Sequence, residues 1–207
     1  MHFVENSLYH IYNRGNNKQL IFFLPDNYIF FLKKIRLLLL PYCDILNYCL
    51  MPNHFHFLIS VKSLPEQKFK QIDIKESTNE SITLVSKTER HPLSANIGFL
   101  LSSYTQAINK QNHTTGSLFQ QKTKAKEINN GIYGTTCFHY NHQNPWKAGL
   151  VNKIEDWDYS SFKDYAGLRN GTLCNKQLAF DLLNLNKENF YKDSYGVIED
   201  DDLNNIF

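Results

Sequence analysis

Residues 54–61 read His-Phe-His-Phe-Leu-Ile-Ser-Val, and this short run sets the terms for the whole fold. In an extended strand successive side chains point to opposite faces of the sheet. Phe55, Phe57 and Ile59 therefore demand cover on one face, while His54 and His56 share the other. A strand of this kind belongs in a sheet with at least one buried side. Pro52-Asn53 marks a tight turn from a preceding strand over residues 43–51, so the two runs form a hairpin.

The rest of the chain supplies the partners. Residues 7–13 (SLYHIYN) read as a first strand, with Arg14-Gly15-Asn16-Asn17 as a turn. Pro25-Asp26-Asn27 opens a helix to about Leu40, with Ile29, Phe30, Leu32, Ile35, Leu38 and Leu39 at helical spacing and Pro41 as the stop. A second helix is expected from about Ser94 to Lys110, a strand near Leu118–Ile128, and a third helix from about Gly131 to Gln143. Pro145, followed by Gly149, is expected to end that third helix.

The order β-α-β-β-α-β followed by a helix predicts an α+β fold of the ferredoxin-like, split βαβ kind. Its antiparallel sheet would carry helices packed on one face, plus a C-terminal helical and loop extension. Residues 1–165 make the body. Within it, residues 63–92 turn polar and aperiodic, as in a surface loop or insertion. Residues 166–207 form an acidic extension, with a frayed end at Glu199–Asp202.

Composition excludes some classes. At 207 residues with 42% hydrophobic side chains, the chain can fill a core and is not wholly disordered. The most apolar run, Ile35–Leu40, is too short to cross a bilayer, contains Arg36 and directly follows Lys33 and Lys34. Cys43, Cys49, Cys137 and Cys174 show no CxxC pairing, which fits a reduced, cytoplasmic chain. Charge is divided along the sequence: residues 1–62 carry six Lys/Arg against three acids and residues 102–153 six against one. Residues 154–207 carry five against eleven. A basic body permits a polyanionic partner, although charged faces are usually only solvated.

Taken alone, the candidate chemistry is ambiguous. His54 and His56 project together, separated by roughly 6.6 Å of strand rise, and can converge on one divalent cation with a third ligand from elsewhere. A bare His-x-His is nonetheless more often a hydrogen-bonded pair on a half-buried strand. Tyr140 and Asn144, four residues apart, share a helix face, yet a packed aromatic near a helix end is equally compatible. Lys122, Lys124 and Lys126 alternate and so would line one face of a strand, either contacting phosphates or protecting a sheet edge. Arg14 and Lys147 are weaker candidates for phosphate contact. His10, His139 and His142 are read as structural or hydrogen-bonding residues.

Four separated segments, in order, carry a resemblance. They are YHIYNRGNN (Tyr9–Asn17), NYCLMPNHFHFLI (Asn47–Ile59), GSLFQQKTKAKEI (Gly116–Ile128) and YNHQNPWKAGLV (Tyr140–Val151). Together they resemble the single-tyrosine HUH transposases, in particular the REP-associated tyrosine transposases, over about residues 7–165. The chain departs from that pattern at Asn141, where the family usually carries an apolar residue, and in its long polar stretch before the second helix.

The resemblance implies a catalytic domain over residues 1–165 that cleaves and rejoins single-stranded, hairpin-containing DNA. It implies His54, His56 and Asn144 as ligands of Mg²⁺ or Mn²⁺, and Tyr140 as the nucleophile that forms a 5′-phosphotyrosine. Either a monomer or a homodimer is compatible with it. Two other function classes stay open at this point: a metal-dependent phosphodiesterase with no covalent intermediate, and a non-catalytic DNA-binding regulator derived from a transposase.

Overall fold

The computed structural model describes residues 1–64, 91–128, 131–196 and 198. Four strands, β1 (Leu8–Arg14), β2 (Cys43–Met51), β3 (His54–Val61) and β4 (Lys124–Ile128), form one sheet. Its order is β2-β3-β1-β4 and every neighbouring pair is antiparallel. Helix α1 (Pro25–Leu38) connects β1 to β2, and α2 (Pro92–Asn112) precedes β4. This is the expected α+β, ferredoxin-like arrangement. Most of the loop or insertion read at 63–92, and the acidic end at 199–202, lie outside the described residues.

The helices divide between two faces. On the Phe face of β3, Phe31 of α1 is fully buried and its ring meets Phe55 at 5.5 Å, Phe57 at 6.3 Å and Tyr104 of α2 at 4.7 Å. The first two helices thus share one face, as expected. The third, α3 (Gly131–Lys147), crosses the opposite, histidine-bearing face, so the sheet is covered on both sides.

The buried stripe of α1 also differs from the reading of its sequence. Tyr28, Phe31 and Ile35 are buried, whereas Ile29 and Phe30 are exposed. Apolar residues at 28–32 fit two neighbouring stripes, and only contact with the Phe face of the sheet selects between them.

Two further boundaries are corrected. The strand expected from 118 begins only at Lys124. The intervening chain is bridged instead by Asn13, whose Nδ2 donates to Gln120 O at 3.2 Å and to Thr123 Oγ1 at 2.9 Å. Lys122 therefore precedes the strand on which Lys124 and Lys126 alternate. Helix α3 runs through Pro145 to Lys147, with Ala148 N donating to Asn144 O at 2.9 Å. Proline removes one donor there, but helical bonding resumes within the same turn.

The chain that follows α3 packs closely against the sheet. It contains α4 (Phe162–Tyr165), α5 (Lys176–Leu183) and α6 (Phe190–Asp193). Phe162, Ala179, Leu183 and Phe190 are buried in the core. Main-chain bonds from Leu50 N to Tyr159 O and from Asn175 N to Ile45 O, both 2.9 Å, cover the outer edge of β2. An edge covered in this way is closed to pairing with another chain. All four cysteines are free and buried, and among the described residues no helix is long and apolar enough to cross a membrane.

Truncating Phe31 removes a ring at the junction of both inner helices and β3. Phe31→Ala is expected to cost about 3–5 kcal/mol in urea unfolding. Leu37→Ala, on the exposed side of α1, is expected to stay within about 0.5 kcal/mol of the parent.

Candidate active site

The site follows from strand register. His54 and His56 lie opposite Arg14 and Tyr12 of β1, and Tyr12 in turn lies opposite Lys124 of β4. Paired residues share a face, so histidines, tyrosine, arginine and lysine gather on one side of the sheet. Helix α3 brings Tyr140 across them, with its ring 6.1 Å from that of His56 and nearly perpendicular to it. These groups line a cavity of about 430 Å³, whose walls are Tyr12, Asn13, Arg14, His54, His56, Gln120, Lys122, Lys124 and Tyr140.

Of the candidates read from sequence, the fold brings His54, His56, Tyr140, Arg14, Lys122 and Lys124 to this one cavity. Lys126 sits on the same face, one step further along β4 opposite His10. Asn144 and Lys147 do not line the cavity. Asn144 is helical and buried one turn beyond Tyr140, with its Nδ2 lacking a hydrogen-bond partner; Lys147 is exposed at the end of α3. Reading the sequence missed Tyr12, Asn13 and Gln120. The alternation His10, Tyr12, Arg14 on β1 was the available signal for Tyr12, since three such residues must share a face.

Electrostatically the cavity favours anions. Arg14, Lys122 and Lys124 line it and no carboxylate does. Burial pulls His54 down to about 4, helped by the Arg14 guanidinium. Burial also holds His56 well below the usual imidazole range, with His10, His54 and Arg14 pushing the same way. Both rings are therefore neutral at physiological pH, which is the form that donates a lone pair to a metal. Burial raises the Tyr140 phenol above its ordinary value, with smaller contributions from Cys137 and Cys49.

The donor set fits a divalent cation. His54 Nδ1 lies 2.6 Å from the side-chain oxygen of Asn53. An amide oxygen only accepts, so Nδ1 carries the proton and the lone pair falls on Nε2. His56 Nδ1 lies 2.9 Å from His10 Nε2. Among the described residues no cluster of three His, Cys, Asp or Glu could hold a metal. A cation on these two imidazoles would need an amide, water or phosphate oxygen to complete its shell.

Behind the site, α3 is held by buried polar contacts. Asn141 Nδ2 donates to Asn47 Oδ1 at 2.9 Å, and Asn47 Nδ2 donates to Phe138 O at 2.8 Å. Gln143 Nε2 donates to Ser194 O and Gly196 O, and His139 Nδ1 meets Ser194 Oγ at 3.2 Å. His142 Nε2 meets Ser161 Oγ at 2.7 Å.

A solved structure described as a REP-associated tyrosine transposase bound to a REP hairpin matches the chain with a TM-score of 0.56 and 18% identity. The match covers 82% of this chain and 86% of the other. The chain therefore has the fold of that transposase, in agreement with the resemblance read from its four segments. No protein-family model and no curated protein matches the chain.

His139 gives the fold a measurable pH dependence. Burial lowers it to about 4, while nearby Asp193 opposes the shift. Between the unfolded value near 6.5 and about 4, the unfolded chain binds more protons, so stability falls as pH falls through that window. The loss from this residue is up to about 3 kcal/mol. Thermal melts from pH 7 to 4 should show a shallower decline for His139→Asn than for the parent; parallel curves would contradict this.

Proposed function

We propose that this chain is a DNA strand transferase that cleaves and rejoins single-stranded, hairpin-containing DNA through Tyr140. The observation that carries the reading is the placement of Tyr140 on α3 against His56, over a cation-lined cavity on the histidine face of the sheet. The likeness in fold to a transposase bound to a DNA hairpin supports it.

Arg14, Lys122 and Lys124 would hold a phosphodiester in the cavity and Tyr140 would attack its phosphorus. The new bond joins Tyr140 Oη to phosphorus and the bond from phosphorus to the 3′-oxygen breaks. In the net reaction the phenolic proton ends on that oxygen. The products are a 5′-phosphotyrosine and a free 3′-hydroxyl, and a second 3′-hydroxyl can reverse the step without ATP. His54 and His56 would hold the cation, Mg²⁺ or Mn²⁺, with Asn144 as the proposed third ligand; imidazole nitrogen suits Mn²⁺ better, whereas Mg²⁺ prefers oxygen. When bound, such an ion offsets phosphate charge and fixes the scissile group. One chain supplies His54, His56 and Tyr140, which supports a monomer as the working unit, with a homodimer as the alternative.

One observation favours a second reading. Burial raises the Tyr140 phenol, which makes it a poorer nucleophile near neutrality. A metal-dependent phosphodiesterase that uses water instead would not suffer from this. The readings separate cleanly. With hairpin-bearing single-stranded DNA and Mn²⁺, the parent should yield a covalent protein–DNA band on a denaturing gel, and Tyr140→Phe should yield none. Full cleavage by Tyr140→Phe would establish the water-based reading. Binding with neither cleavage nor adduct, whatever the metal, would indicate a regulator.

The lysines make a separate prediction. Replacing both Lys122 and Lys124 by Ala should weaken single-stranded DNA binding and flatten the log K against log salt slope by about 1.4, at about 0.7 per phosphate contact. Fluorescence anisotropy across a salt series measures it; an unchanged slope would remove these residues from the DNA path.

A further inference from the structure

His10 lies two residues along β1 from Tyr12, the residue opposite His56, on the same face, and is fully buried. Its Nε2 is 2.9 Å from His56 Nδ1. The two rings are nearly coplanar, with centroids 5.2 Å apart and planes 17° apart, as an edge-to-edge hydrogen bond requires, and the Tyr12 ring lies 5.8 Å from that of His56 at 22°. His56 is thus held by a directional bond at one nitrogen and by the ring of Tyr12 beside it.

We propose that His10 is a positioning residue for the metal site: its Nε2 accepts the Nδ1 proton of His56 and so fixes the His56 lone pair on Nε2. The inference rests on the reading of His54 and His56 as metal-holding residues. Two neutral imidazoles can share one hydrogen bond only if one donates and the other accepts, so the tautomers of the pair are tied together. With the proton of His56 on Nδ1, that of His10 sits on its own Nδ1. Asn53 imposes the same Nδ1–H tautomer on His54 from the turn before β3. Two different neighbours, an amide and an imidazole, thereby present both ligands through Nε2. A metal-bound imidazole held at its second nitrogen is more basic and better oriented, and loss of such a partner typically weakens metal affinity 10–100-fold.

The test is Mn²⁺ affinity by calorimetry on the full chain, without DNA, for the parent, His10→Phe, His10→Gln and His54→Ala. His10→Phe should bind Mn²⁺ about 10–100-fold more weakly, and His10→Gln, whose amide oxygen can still accept from Nδ1, should recover much of the loss. Unchanged affinity in His10→Phe would overturn the positioning role alone. Equal affinity in the parent and His54→Ala would instead remove the metal site, and the proposal with it. Because a buried histidine can be needed for folding, a second measurement uses the unmodified protein. Long-range ¹H–¹⁵N correlation spectra should report His56 as the Nδ1–H tautomer, and an Nε2–H signature would overturn the proposal irrespective of any variant.

Discussion

The alternation along β3 is the constraint on which the rest depends. Phe55 and Phe57 can be buried only if α1 and α2 close over one face, and Phe31 and Tyr104 do so with ring contacts at 4.7–6.3 Å. With those positions committed, His54 and His56 have no choice of side. A slip of one residue would turn the phenylalanines toward α3 and the imidazoles toward the apolar faces of α1 and α2. The energy that decides which side the two histidines take thus comes from the opposite face of the same strand, from apolar burial.

The histidine face is assembled by a different kind of interaction. A bulge at Leu46 shifts the register of β2, so that Ile45 pairs with Ile59 but Asn47 pairs with Leu58. The extra residue turns Asn47 from the Phe face to the histidine face, where it meets Asn141 and Phe138 of α3. The carbonyl of Leu46 is taken up by the Tyr165 hydroxyl. Asn141, the departure from the usual apolar residue, has its explanation here: a buried amide on α3 is tolerated because a buried amide on β2 faces it. From the far side, Gln143 and His139 tie α3 to the segment at Ser194–Gly196. Helix α3, which carries Tyr140, is pinned between sheet and C-terminal segment.

Charge and protonation follow from this burial. The cavity gathers Arg14, Lys122 and Lys124 around two imidazoles that stay neutral because desolvation and the Arg14 guanidinium oppose a further positive charge. In the proposed function, the positive walls would hold the phosphate and the neutral nitrogen donors the cation. Lysine or arginine alone would bind the anion, but neither offers a lone pair at neutral pH.

Much of this was legible in the chain. Period-two alternation identified β3 and the side its histidines take, turn residues placed the hairpin, and the element order led to the sheet and two of its helices. These are local properties, set by backbone geometry within a few residues. Register, by contrast, depends on which residue of one strand meets which of another, and so Tyr12, Asn13 and Gln120 joined the site only in the folded structure. The stripe of α1 was ambiguous between Ile29–Phe30 and Tyr28–Phe31 until the sheet selected one. The late start of β4 depended on Asn13 bonding across to Thr123, and the continuation of α3 through Pro145 on its packing between sheet and C-terminal segment. The bulge at Leu46 leaves no mark in hydropathy, yet it decides where Asn47 points. The sequence by itself determined which residues could do the chemistry and which face of β3 they occupy, because that is local stereochemistry. Only the tertiary structure decided their neighbours, because long-range pairing and packing are settled by the whole chain at once.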